Sequence, residues 1–558
     1  MSGAAVDGKR SAPVRAHVRS AGLESRGDGR SAVLAQRDTG RFSMLGVTWR
    51  DPGARVDGRV EARTRAVASG AWSRWLTLDG DTGQSERGAE RGGTEPAWVG
   101  PSDGVEVRVT SGGKTSARLP AGLSLAMIDP GRGSALRMEP AAFAASGSAA
   151  SALQESGSSG GTGPGLDLGL GLGPADDKGA PVLEFPALGA TAPEVPVPGT
   201  PASKAPVPAS PEGGRPSASA RAVPPASPSV RGGADTGSAG HRAAGSTSAP
   251  RPPITARSEW GADESISPEK PGYLPGGKVK AVIVHHTAES NDYTCEQAPA
   301  VVRGVYVYHV KKLGWKDIGY NFLVDKCGTV YEGRKGGVDR PVTGAHAYGF
   351  NTETTGVSVL GTYAAAAPSK AALASVARVA AWKLGQYGVD PAGTITLTAG
   401  DRGRDYFGTS WAKGARKSFR AIHGHRDGYN TQCPGKALYR KLATVRSWAA
   451  GPVSGLAVKS IGSGKGAGTG EGTRTGTGRA GSTYSAEDGI VVKWSATTPA
   501  ALIAENELLV DGEVAAIVGG SVTSAKAMLS PGSHKVAVRA VHQSGRTATS
   551  AATTVVAE

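Results

Sequence analysis

The chain has 558 residues, enough for three or four domains, and its 83 glycines and 36 prolines make up about a fifth of it. That suits globular modules joined by low-complexity connectors, with small local cores given 5% aromatic content. No run of 18 apolar residues occurs, which excludes a transmembrane helix. The net charge of +15 suits anionic partners such as wall polymers, and equally a plain solvated surface. No nucleic-acid-binding module is recognisable.

Residues 1–40 are polar, basic and aperiodic, and are expected to be disordered. Residues 1–30 are Arg-rich and lack the apolar stretch of a secretory signal, so an exported protein would start upstream, have lost its signal, or use another route. Over 41–131 the texture changes to short strand-like segments: "FSMLGVTW", "GRVEARTR", "WSRWLTL", "VEVRVT" and "GLSLAMID". Val105, Val107 and Val109 alternate onto one face. Trp49, Trp72, Trp75 and Trp98 are expected to fill the core of a small β-sandwich, with carbohydrate binding the alternative use of such residues. Residues 132–253 are dominated by Ala, Gly, Ser and Pro and read as a disordered linker. As a coil it would span on the order of 60 Å.

Residues 254–451 carry interleaved strands and helices and form the one segment with an enzyme-sized α/β core. "KAVIVHH" is a buried strand ending in two histidines. "EQAPAVVRGVYVYHVKK" has helical spacing, with Val301, Val305 and Tyr308 on one stripe and Thr294 as N-cap. "GYNFLVD" and "TVYEG" form a hairpin, and "TGVSVLGT" and "TITLT" read as further strands. "SKAALASVARVAAWKLGQYG" is a helix with Leu373, Val376, Ala380 and Leu384 inward and Gly388 just past its end. "GKALYRKLATVRSWA" is a closing helix. After it, over 452–558, "IVVKWSA", "ELLVDGEVAAIV" and "HKVAVRAV" suggest a second small β-sandwich with Trp494 inside, resembling a fibronectin type III module, with a Gly/Thr-rich insertion at 461–483.

All three cysteines lie in the central segment. A Cys295–Cys327 bridge would close a loop of about thirty residues, worth roughly 3 kcal/mol in the chain-entropy model, and would need an oxidising compartment. Two unpaired buried thiols are the alternative. Cys433, eight residues after His425 in "GHRDGYNTQCPG", is then left over. A thiolate beside imidazoles makes a zinc site if a third ligand arrives from elsewhere, and a histidine at the end of "VIVHHT" sits on a rigid element suited to supply it. A loop histidine and cysteine alone are more often structural.

Six motifs, "RSEWGA", "VIVHHTA", "GWKDIGYNFLVD", "VYEGR", "GAHAYGFNTETTGVSVLGTY" and "GHRDGYNTQCPG", stand in the order found in peptidoglycan recognition proteins and the related zinc-dependent N-acetylmuramoyl-L-alanine amidases, which about 195 residues of this chain resemble. The resemblance implies a mixed β-sheet flanked by helices. It implies one Zn2+ per chain, held by His285, His425 and Cys433, a trio that non-catalytic members typically lack through loss of the cysteine. Tyr320, in "GYNF", falls at the family's catalytic tyrosine. Thr431 holds the place of a catalytic lysine of phage-type members, as in the recognition-protein branch, so no cation stands there. His346 and Asn351 match groove positions that bind substrate, with Arg334 and Trp315 as further groove candidates, while His286 and His423 are expected to pack or support.

The implied reaction is hydrolysis of the amide between N-acetylmuramic acid and L-alanine by metal-activated water, with Tyr320 donating to the developing oxyanion, one such donor being worth ~3 kcal/mol. No acidic residue reads as general base. The expected protein is a secreted or wall-associated monomer acting on peptidoglycan. The competing readings are a peptidoglycan-binding protein without turnover and a structural adhesin whose flanking modules are the active parts.

Overall fold

The computed structural model describes residues 13–27, 29–80, 86–112, 118–133, 140–142, 249–465 and 482–558. The linker reading for 132–253 and the insertion reading for 461–483 fall largely outside these residues.

The N-terminal module is built from one hydrogen-bonded ladder of eight strands. Its spine is two long antiparallel strands, Ser31–Trp49 and Ala97–Ser111, which shift register against each other three times. Such irregularities bend strands, so one sheet folds over its own core where two separate sheets were expected. Val105, Val107 and Val109 line that core with Trp49, Leu45 and Leu125. Of the four tryptophans only Trp49 fills it. Trp72 and Trp75 lie half-buried under the guanidinium groups of Arg63 and Arg108.

The expected disorder of residues 1–40 does not extend through 17–40. His17–Gly22 is a strand paired along its length with Ser124–Asp129. Its polar residues face solvent, while Ala16 and Val18 pack on a helix of the central domain. That partner surface lies about 280 residues downstream, so no local signal announces the strand.

The central domain carries a five-stranded sheet in the order Val330–Glu332, Phe322–Val324, Thr354–Val359, Ala281–His286, Ile422–Gly424. The first pair is an antiparallel hairpin and the other three pairings are parallel. Alternation along Ala281–His286 sends Val282 and Val284 into the core shared with α2 (Lys370–Gly385) and α3 (Lys436–Ala450), and leaves Ile283 and His285 on the opposite face. All four residues of the α2 stripe, Leu373, Val376, Ala380 and Leu384, are buried. "TITLT" is a strand, Thr394–Thr398, but it pairs with Arg416–Arg420 in a separate ribbon.

α1 spans Ala298–Lys311. Thr294 is not its N-cap: the cap position is Gln297, whose side chain accepts from the Thr294 amide at 2.8 Å, and Pro299 occupies the first turn, where no amide donor is needed. The stripe Val301, Val305 and Tyr308 is buried against Met44, Trp98, Ala126 and Ile128 of the N-terminal module. Arg303, 3% exposed, donates to Pro130 O at 3.0 Å, Gly131 O at 3.1 Å and Trp260 O at 2.6 Å. Contact is close enough that a Cβ on Gly46 would stand 2.6 Å from the Tyr308 ring. The two modules therefore share a closely packed, hydrogen-bonded seam.

The C-terminal residues form a three-stranded and a six-stranded sheet around Trp494, Leu508, Val536 and Val538. His542 Nε2 lies 2.8 Å from Trp448 O at the end of α3, which docks this module on the central domain.

Candidate active site

His285 and His425 come together because their strands are neighbours. Ala281–His286 and Ile422–Gly424 run parallel with Val284 opposite Gly424, so both chains reach the same sheet edge before turning. His425 opens a single 3-10 turn, His425–Asp427. Asp427 pins that turn by accepting from Gly424 N at 2.9 Å and from the Tyr439 hydroxyl at 2.6 Å. The following loop folds back, Arg426 N donating to Cys433 O at 3.0 Å, and delivers the cysteine.

The ligand atoms of His285, His425 and Cys433 lie within 4.8 Å of one another. Cys433 Sγ is 3.7 Å from His285 Nδ1. A sulfur and a nitrogen on one tetrahedral metal would be separated by about 3.6 Å given ordinary bond lengths. The Sγ also accepts from His286 N at 3.4 Å. Burial, reinforced by neighbouring imidazoles, holds His285 and His425 well below the ordinary histidine range, so both are neutral, the form that ligates metals. Burial pushes the Cys433 thiol up, and a cation between the three groups is what would favour its thiolate. The donor set therefore fits a divalent ion.

A family model described as N-acetylmuramoyl-L-alanine amidase matches residues 275–436, and one described as Rv3811 N-terminal galactose-binding domain-like matches residues 5–130. Mouse peptidoglycan recognition protein 1 is 31% identical over 198 residues, 35% of this chain and 87% of that protein. Peptidoglycan-recognition protein SC2 of Drosophila simulans is 29% identical over 200 residues, 35% of this chain and 88% of that protein. The chain belongs to the peptidoglycan recognition protein family. The human N-acetylmuramoyl-L-alanine amidase is 34% identical over 197 residues, but those cover only 28% of that protein. The family thus joins recognition proteins and amidases, and in this member an amidase domain follows a galactose-binding-like one.

Around the trio, the remaining residues singled out by the family motifs fall into distinct places. The Tyr320 ring is 5.3 Å from that of His285, and the residue is 3% exposed. Burial first, then the charge of Glu95, raises its hydroxyl well above the ordinary tyrosine range, so it stays protonated and able to donate. Thr431 Oγ1 accepts from Cys433 N at 3.1 Å and so braces the cysteine loop. His346 is fully buried, with Nδ1 3.1 Å from His285 Nε2. It stands behind His285, not on an open groove wall. Its Nε2 finds no partner among the described residues. Asn351 Oδ1 accepts from His346 N at 2.8 Å and Ala347 N at 2.9 Å, holding the turn that carries the histidine. Trp315 stacks on His309 at 4.3 Å and is 7% exposed. Arg334 pairs with Glu86 of the N-terminal module.

The rings of His286 and His423 are engaged by other partners. His286 Nδ1 accepts from Tyr363 N at 3.2 Å, and His423 stacks on Phe419 with Nδ1 2.9 Å from Arg420 O. Cys295 and Cys327 form a disulfide with a Cα–Cα distance of 6.2 Å, tying the start of α1 to the hairpin turn.

Three acidic residues near the site escaped the sequence reading. Glu289, two residues past "HHT", is buried, accepts from Thr287 Oγ1 at 2.9 Å, and is raised to about 8, chiefly by burial. Glu95 and Asp79 arrive from the N-terminal module, linked by Glu95 N donating to Asp79 O at 2.8 Å. Glu95 lies close enough to Tyr320 to act on its hydroxyl, and is itself raised to about 8 by burial and by the charge of Asp79. The position of Glu289 beside the histidines was a usable signal. Nothing in spacing could connect Glu95 to a tyrosine more than two hundred residues away.

Proposed function

We propose that the protein hydrolyses the amide between N-acetylmuramic acid and L-alanine of peptidoglycan and depends on one zinc ion held by His285, His425 and Cys433. The observation that carries this reading is the convergence of two neutral imidazoles and a thiol within 4.8 Å. When bound, zinc polarises a carbonyl and lowers the pKa of water toward neutrality. The chain's own residues supply orientation and proton donors. His346 buttresses His285 from behind at 3.1 Å. Tyr320 offers a protonated hydroxyl to the scissile carbonyl oxygen as charge builds there. The negative charge of nearby Glu95 favours the protonated form of that hydroxyl. A cavity of about 620 Å³ bordered by His286, Ala288, Thr362 and Gln432 on one side and by residues 55–58 and 77–80 on the other lies beside the loop that carries Cys433.

The C-terminal module fits a fibronectin type III-like role as a wall-facing spacer, residues 132–253 a linker, and the chain a monomer. The Cys295–Cys327 disulfide supports an extracytoplasmic location. The alternative is peptidoglycan binding without turnover, favoured by the burial of the trio, whose most exposed member is 7% accessible. The deciding experiment measures peptide bearing L-alanine at its N-terminus released from purified walls by wild type and by Cys433→Ser, alongside zinc content. Release that depends on Cys433 and on zinc supports hydrolysis. Wall binding with no release by wild type supports the alternative.

A further inference from the structure

A small hairpin beside the metal-binding turn has no part in the chemistry above. Gly403–Arg404 pairs with Ser410–Trp411, and the chain reverses through Asp405, Tyr406, Phe407 and Gly408. Gly408 N donates to Asp405 O at 3.2 Å, Asp405 N donates to Thr409 O at 3.0 Å, and Asp405 Oδ1 accepts from Thr409 N at 2.8 Å. Gly408, at φ +95°, takes the left-handed conformation that closes the reversal. Closure therefore needs neither central side chain. Such positions ordinarily carry Pro, Asp, Asn or Ser. Here they carry Tyr406 and Phe407, which are 39% and 60% exposed.

The two rings stand 5.5 Å apart between centroids at 86°, forming an L-shaped corner. The corner is fixed from beneath. Arg426, 4% exposed, lays its guanidinium over Tyr406 at 4.6 Å and over Tyr439 at 5.0 Å. Phe407 leans on Tyr439 at 6.2 Å, and Tyr406 N donates to Arg426 O at 3.1 Å. Arg426 directly follows His425, and the Tyr439 hydroxyl is bonded to Asp427 of the same turn. The aromatic corner is thus mounted on the turn that presents His425. Exposed Arg404 lies along its side, with Nη2 3.4 Å from where a Cβ on Gly408 would stand.

We infer that Tyr406 and Phe407 form a sugar-stacking platform for the glycan strand, so that the chain grips the polymer as well as its peptide stem. This rests on the peptidoglycan reading above. A pyranose ring presents a flat patch of C–H groups rimmed by hydroxyls. It calls for a planar, rigid aromatic face with a hydrogen-bond donor beside it, and the corner with Arg404 offers both. A face that is already fixed loses little entropy on binding. The lactyl group that carries the scissile amide is attached to a sugar, so the glycan has to pass close to the metal-binding turn. A second copy of the chain fits less well, because two side chains are a small part of the ~800 Å² per partner that a stable interface buries. A lipid surface also fits less well, since two rings offer little apolar area for anchoring.

The probe is peptide-free wall glycan several disaccharides long, which has no scissile amide and so is not consumed by untreated, full-length protein. Its Kd is measured by calorimetry for wild type, Phe407→Ser, Phe407→Leu and Phe407→Trp, with thermal melting to check that each is folded. Phe407→Ser removes the ring, and Phe407→Leu keeps apolar bulk without a flat face. Both are expected to raise Kd at least about fivefold, while Phe407→Trp, which keeps a face, binds close to wild type. Wild type with no measurable glycan affinity overturns the inference. So does a smaller rise in Kd for Phe407→Ser or Phe407→Leu, or a Phe407→Trp as weak as Phe407→Ser. Binding to phosphatidylglycerol vesicles that Phe407→Ser abolishes, with glycan affinity unchanged, overturns it in favour of lipid. Loss of glycan affinity in Phe407→Ser and Phe407→Leu, together with no peptide release from walls by wild type, leaves the platform standing and counts against the amidase reading alone.

Discussion

Cys433 Sγ lies 3.7 Å from His285 Nδ1, although 148 residues separate them in the chain. The parallel pairing of Ala281–His286 with Ile422–Gly424 closes that distance, and the short loop after His425 completes it. Replacing Cys433 by serine keeps the loop, since Thr431 still accepts from the backbone amide. It removes the one soft ligand. Zinc content should fall from one per chain toward none, and peptide release should drop by more than about a hundredfold, the upper end of what loss of a supporting partner costs. Metal analysis and wall digestion check both.

His346 touches no solvent and backs His285 at 3.1 Å. His346→Ala should weaken zinc affinity by about 10- to 100-fold, while saturating zinc restores much of the turnover. Competition against a chelator reads the affinity directly. Unaltered affinity would return His346 to a substrate-contact role.

Tyr320→Phe deletes a protonated hydroxyl and little volume. It should lower kcat by about a hundredfold, leaving zinc content and KM near wild type, because a donor aimed at developing charge acts in the transition state. Steady-state kinetics on a soluble muropeptide would show the split.

Glu95 is raised from an ordinary 4.5 to about 8 in the folded protein. The folded state therefore holds a proton that the unfolded state releases above pH 4.5, so this group's contribution to stability falls as pH rises from about 4.5 to 8. Glu289, with the same shift, acts in the same direction. Melting temperature against pH should decline over that window, and Glu95→Gln should flatten the decline in part.

A methyl group on Gly46 would sit 2.6 Å from Tyr308 Cε2 and 2.7 Å from its hydroxyl oxygen. Tyr308 is fully buried and cannot turn aside cheaply. Gly46→Ala should destabilise the protein by about 1–3 kcal/mol, the usual cost of overpacking. Urea denaturation would measure it, and protease cutting between the N-terminal and central modules should accelerate if the seam loosens.

Local patterns foretold much of this molecule. Alternating valines gave the N-terminal strand core, the 3.6-residue stripe gave α2, and "VIVHH" gave the strand that carries His285, because each pattern is a property of consecutive residues. The motif order foretold that His285, His425 and Cys433 would gather, and the odd cysteine count pointed to the Cys295–Cys327 bridge. The sequence by itself thus determined which residues could bind a metal and in what kind of fold. It did not reveal that the α1 stripe faces another module, that His17–Gly22 is a strand, or that Glu86 and Glu95 stand beside Arg334 and Tyr320. Those contacts join residues more than a hundred positions apart, and they form only when two independently patterned surfaces are packed together. Tertiary structure alone decided which side chains of the N-terminal module reach the central domain.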